Sequence, residues 1–126
     1  MDKKKILIVD DEENILIMLE SRLTHAGYAV SKATNGREAI DIAKKELPDL
    51  IISDIMMPEL DGGDMSNILK NDPLTKGIPI IFLTGLLKKE EESARKVVQG
   101  RYFMAKPFDA DALLKAIDRV LYDKKR

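Results

Sequence analysis

Cysteine is absent from the chain, which excludes thiolate nucleophiles, cysteine redox chemistry and Cys-based zinc sites. Long apolar runs are absent too: none approaches the roughly 20 residues that a transmembrane helix needs. Behind Met1-Asp2-Lys3-Lys4-Lys5 only four clearly apolar residues precede Asp10, too few for the apolar region of a secretory signal. Nor is there an excess of one charge. Charged residues make up 34% of the chain, yet the formal net charge is −1, which gives no general attraction to nucleic acid. The expectation is a cytoplasmic protein with no membrane or direct nucleic-acid partner. A length of 126 residues suits a single domain, 1–126, able to bury a core without covalent staples.

What is present is an alternation of apolar runs and amphipathic segments. Ile6–Val9, Leu50–Ile52 and Ile80–Leu83 are near-continuous Ile, Leu and Val (with Phe82), as strands covered on both faces should be. Tyr28–Ala33 alternates and carries Lys32, and Tyr102–Ala105 is short and mixed, so these two read as edge strands. Ile15, Leu19, Leu23 and Ala26 predict a first helix over 13–26, with Gly27 as a C′ residue able to take positive φ. Ala39, Ile40, Ala43 and Leu47 predict a second, stopped by Pro48. Met65, Ile68 and Leu69 mark a short third, and Ala94, Val97 and Val98 a fourth. Ala112, Leu113, Ala116, Ile117, Val120 and Leu121 form the stripe of a fifth, with Asp109 as N-cap. Strand–helix alternation requires crossovers, which are nearly always right-handed. The expected fold is α/β: a five-stranded parallel sheet, order 2-1-3-4-5, with helices on both faces, the flavodoxin-like arrangement.

In such sheets ligands bind at the carboxyl ends of the strands. Asp10-Asp11, Asp54, Thr84 and Lys106 each fall just after an apolar run, so the topology brings them to one rim. Glu12 and Glu13 follow Asp11 and read as acids favouring a helix N-terminus. The aspartates are different, because clustered carboxylates repel and a cation removes the conflict. An all-oxygen set with few protein donors suits Mg²⁺, which is held by one or two carboxylates plus phosphate and water. Asp-Asp-Glu-Glu also replaces the Gly-rich turn that a dinucleotide fold would show. Aspartate can attack phosphorus and form an aspartyl phosphate. Phosphoryl transfer needs charge neutralisation more than proton removal, which Lys106 as a point charge and Thr84 as a hydroxyl donor supply. The turn-rich loop Pro58-Glu59-Leu60-Asp61-Gly62-Gly63 fixes the chain after Asp54 and can aim a backbone carbonyl at the metal.

The chain resembles the receiver domain of two-component response regulators, with the spacings of chemotaxis-type single-domain members. The resemblance runs from about Lys4 to Tyr122 and rests on Asp10-Asp11, Asp54, Met57-Pro58…Asp61-Gly62, Thr84 and Lys106-Pro107-Phe108. It implies that Asp54 accepts a phosphoryl group from a sensor histidine kinase or phosphotransfer protein, making a self-phosphorylating and self-dephosphorylating switch rather than a multiple-turnover enzyme. It implies Mg²⁺, with Mn²⁺ or Ca²⁺ able to substitute, on Asp10, Asp11, Asp54 and the Met56 carbonyl. Phosphoryl oxygens would be bound by Thr84, Gly85 and Lys106. Thr84 and Phe103 would act as the switch, re-presenting the predicted fourth helix, fifth strand and fifth helix to a downstream protein, the whole being a monomer or weak dimer. Proline after Lys106 would be trans on general grounds, whereas the resemblance implies a cis bond.

Some residues depart from the family pattern. Gly85 stands where alanine is commonest, Gln99-Gly100 replaces the usual Gly-Ala turn, and Phe103 lacks a tyrosine's hydroxyl. His25, the single histidine, reads as a helix-end surface residue rather than a phosphoryl carrier. Two rival readings remain. A haloacid-dehalogenase-like Mg-dependent phosphohydrolase would carry a second aspartate two residues after the nucleophile, where this chain has Met56. A flavin-binding electron carrier of similar fold would be yellow.

Overall fold

In a computed structural model, which describes residues 3–55, 60–84, 101–105 and 109–122, strands β1 (Lys5–Val9), β2 (Ala29–Ala33), β3 (Leu50–Asp54), β4 (Ile80–Thr84) and β5 (Arg101–Ala105) form one parallel sheet in the order β2-β1-β3-β4-β5. The expected α/β architecture and both edge assignments are borne out. Four helices are described: α1 (Glu13–His25), α2 (Gly36–Glu46), α3 (Gly62–Lys70) and α4 (Ala110–Tyr122). The helix expected around Ala94, Val97 and Val98 lies outside the described residues.

The central strands are apolar at successive positions because each face meets its own helices. Ile6, Ile8, Leu50, Ile52, Ile81 and Leu83 pack with α1 and α4 through Leu16, Leu19, Leu23, Leu113, Ile117 and Val120. Leu7, Val9, Ile51, Ile80 and Phe82 pack with α2 and α3 through Ala39, Ile40, Ala43, Met65 and Leu69. The α1 stripe is centred on Leu16, Leu19 and Leu23, while Ala26 is an exposed cap residue. Gly27 takes φ +102 after it, as expected of a C′ glycine. Ile68 and Ala112, counted from spacing as stripe residues, are also exposed.

Helix ends are set by local hydrogen bonds. Asn35 caps α2 by accepting from the Glu38 N–H at 2.8 Å, and Glu38 reaches back to accept from the Thr34 N–H at 2.6 Å. The two side chains thus each satisfy a backbone donor at the start of α2, a variant of the capping box that reaches one residue further back. Asp61 caps α3 through the Asp64 N–H at 2.9 Å. The expected Asp109 cap is present, its Oδ1 accepting from the Asp111 N–H at 3.1 Å. Leu47 corrects one expectation. It is not a core residue of α2 but its C-cap, at φ 49 and 48% exposed. The left-handed turn there lets the chain reverse into β3 through the buried Pro48.

Candidate functional site

Strand register assembles the rim. Val9 pairs with Ser53 across β1 and β3, so Asp10, the next residue, is level with Asp54. Asp54 pairs with Leu83, placing Thr84 one step further out on the neighbouring strand. Thr84 in turn pairs with Ala105. Asp54 and Thr84 are therefore the last residues of their strands rather than the first beyond them. Lys106, Gly85 and Met56 lie outside the described residues.

Ligand atoms of Asp10, Asp11 and Asp54 all lie within 4.8 Å of one another. The three carboxylates sit in different surroundings. Asp10 is 1% exposed and Asp54 8%, whereas Asp11 is open to solvent. Asp10 also has a structural task, since its Oδ1 accepts from the Glu12 N–H at 2.9 Å. Glu12 is the N-cap of α1 and makes no side-chain cap of its own, so Asp10 anchors the start of that helix. One carboxylate is thus held in place by the element that follows it.

The backbone around Asp54 is fixed from the other side. The Ser53 hydroxyl, fully buried, donates to the Asp54 carbonyl at 2.8 Å. The Gly62 N–H donates to the Ile55 carbonyl at 2.8 Å, closing the loop between β3 and α3. Glycine is required there, because a Cβ on Gly62 would stand 2.7 Å from the Asp54 carbonyl oxygen and 3.1 Å from the Phe82 ring. The start of α2 makes a similar approach, since a Cβ on Gly36 would meet the Leu60 carbonyl at 2.5 Å.

Thr84 is 4% exposed at the end of β4. Phe103 is half-buried on β5 and stacks on Phe82, with ring centroids 5.4 Å apart and planes inclined by 28°. Sequence reasoning had singled out Phe103 but not Phe82, Ser53 or the Asp10–Glu12 bond. Phe82 lies inside an apolar run and Ser53 just after one, and neither carries a signal of its own, while an acid two residues before a helix N-cap is a signal that could have revealed the third.

The donor set fits a hard dication. Three carboxylate oxygens from two adjacent strand ends, two of them on buried residues, match the oxygen preference and low protein-ligand count of Mg²⁺. Concentrated like charge in a partly dry rim is costly unless it is compensated, and a dication compensates it.

Residues 6–118 match the family model of the response regulator receiver domain. The chain belongs to that family. It is 40% identical over 119 residues to the probable transcriptional regulator ycf27 of Porphyra purpurea, across 94% of this chain and 48% of the relative. It spans about half the length of the ycf27 relatives that it matches. Among solved structures, chemotaxis response regulator CheY4 of Vibrio cholerae superposes with a TM-score of 0.82 at 36% identity, covering 95% of this chain and 100% of that one. The receiver domain of sensor histidine kinase PA1611 from Pseudomonas aeruginosa, solved with a magnesium ion coordinated in its active site cleft, gives a TM-score of 0.81 at 27% identity, over 95% and 98% of the two chains. This receiver domain is therefore a two-component signalling module. No helix among its described residues is long and apolar enough to cross a membrane.

Proposed function

We propose that this receiver domain, as a single unit over 1–126, takes a phosphoryl group onto Asp54 from a phosphohistidine on a sensor kinase or phosphotransfer protein. The observation that supports this most is the convergence of Asp10, Asp11 and Asp54 within 4.8 Å beside the Thr84 strand end. The Asp54 carboxylate attacks phosphorus, an acyl O–P bond forms, the donor's P–N bond breaks, and the electron pair leaves with the imidazole. Asp10, Asp11, Asp54 and the Met56 carbonyl would hold Mg²⁺, with Mn²⁺ or Ca²⁺ as substitutes, which would supply positive charge to the phosphoryl oxygens. Ser53 and Gly62 hold the Asp54 backbone so that the carboxylate need not be ordered during attack. Thr84 donates its hydroxyl to a phosphoryl oxygen, Gly85 would join it in binding the group, and Lys106 would add a charge.

Phosphorylation adds charge and acceptor oxygens at one point of the rim. Thr84 moves toward them, Phe103 buries further, and the surface of β5 and α4 is offered to a downstream protein. The product is a switch, monomeric or weakly dimeric, with no second aspartate at position 56 to drive repeated ester hydrolysis.

Acetyl phosphate with Mg²⁺ should add one phosphoryl mass to the wild-type chain and none to Asp54→Asn, read by intact-mass spectrometry. Equal modification of the variant would move the acceptor elsewhere. Multiple turnover of p-nitrophenyl phosphate would favour the phosphohydrolase reading instead.

A further inference from the structure

One row of side chains runs across the sheet just beneath the rim. Val9 pairs with Ser53, Ser53 with Phe82, and Phe82 with Phe103. Val9, Phe82 and Phe103 all belong to the core on the α2/α3 side. Ser53, next to Val9 in the row, is bonded to the Asp54 carbonyl. Phe82, 2% exposed, touches the site a second time, because its Cε1 closes over the position where Gly62 lacks a side chain. It also precedes Thr84 by two residues, so the two share one face of β4. At the far end its ring stacks on Phe103.

We propose that Phe82 is a positioning residue that carries the state of the Asp54 site sideways to Phe103. The inference rests on the phosphoryl-acceptor reading above. A core this dense does not deform continuously, so displacement of the β4 end or of the α3 start is passed to the Phe82 ring. Phe103 leans on that ring and must follow or lose the stack. In the reading above phosphorylation buries Phe103 further, and it does so against the Phe82 ring, so the stack favours the state that phosphorylation selects. By linkage, weakening the stack must also weaken the hold of the site on a phosphoryl-like group.

The chain has three phenylalanines, Phe82, Phe103 and Phe108, so 4-fluorophenylalanine labelling gives a fluorine spectrum of three lines. Beryllium fluoride with Mg²⁺ serves as the phosphoryl mimic. In the wild type, loading should shift the Phe103 line. Phe82→Leu should remove most of that shift and weaken the apparent affinity for the mimic by about two- to tenfold, the range that one aromatic stack allows. Phe82→Met fills the volume without a ring and should behave alike, which guards against loss of fold in the leucine variant. Phe103→Tyr keeps the ring and should keep both the affinity and the response of the Phe82 line. An undiminished Phe103 shift and unchanged affinity in Phe82→Leu and Phe82→Met would overturn the inference. Intact-mass phosphorylation of the wild type in parallel would show that the site reading survives that result. Failure of the wild type to load at all would remove the site reading and this inference together.

Discussion

The two rims of the sheet use charge in opposite ways. At the amino rim, polar groups satisfy one another. The Lys5 N–H donates to the Asp49 carboxylate at 2.8 Å, and the Asp49 N–H returns a bond to the Lys5 carbonyl at 2.8 Å. The Lys70 ammonium donates to the Ile78 carbonyl at 2.6 Å and the Lys76 carbonyl at 3.2 Å, tying the end of α3 to the approach to β4. Thr75, buried, donates to the Leu69 carbonyl at 2.7 Å. At the carboxyl rim three carboxylates crowd within 4.8 Å. Both rims belong to one sheet, so the fold does not require the crowding. Local departures from charge balance mark functional sites, where chemistry is retained at the expense of stability.

Substitutions of charged groups should therefore act with opposite sign at the two rims. Lys70→Met keeps the aliphatic stem but removes the ammonium from two carbonyls, and should lower stability by about 1–2 kcal/mol in denaturant melts. Phosphorylation of Asp54 should be unimpaired in it. Asp54→Asn, measured without divalent cations, should raise stability by about 1 kcal/mol by relieving like charge, while abolishing phosphoryl uptake. A large loss of stability in Asp54→Asn would mean that the cluster is structural. Leu47→Gly, at the amino rim, removes a left-handed non-glycine residue that is largely exposed. It should gain about 0.5–1 kcal/mol, with no effect on the site.

The smallest effect concerns Tyr28, which leads into β2. Burial, followed by repulsion from Tyr122 and Asp118, raises its pKa above the ordinary 10.0. The folded state then holds the phenol proton more tightly than the unfolded chain does. That contribution is complete below the ordinary value and is lost as pH rises through the folded pKa. Tyr28→Phe should flatten the alkaline limb of the stability curve and leave neutral pH unchanged, as equilibrium unfolding against pH would show.

The carboxyl rim was more legible in the sequence than its supports. Asp10-Asp11 and Asp54 each end a run of Ile, Leu and Val, and parallel order alone brings such ends together. The Ser53–Phe82–Phe103 row was not legible, because it depends on register between three strands, which apolar runs without alternation do not specify. Leu47 was misplaced because spacing counts an apolar residue into a stripe without knowing that the helix has ended one residue earlier. The double role of Asp10, site carboxylate and anchor of α1, needed its bond to the Glu12 N–H to be seen.

The central claim is that the carboxyl rim is built to hold a dication beside Asp54. Isothermal titration of Mg²⁺ into the unphosphorylated protein at low ionic strength tests it most directly. One saturable site, lost in Asp11→Ala, is the expected result. Absence of binding heat in the wild type across a range of temperatures, or undiminished binding in Asp11→Ala, would contradict it.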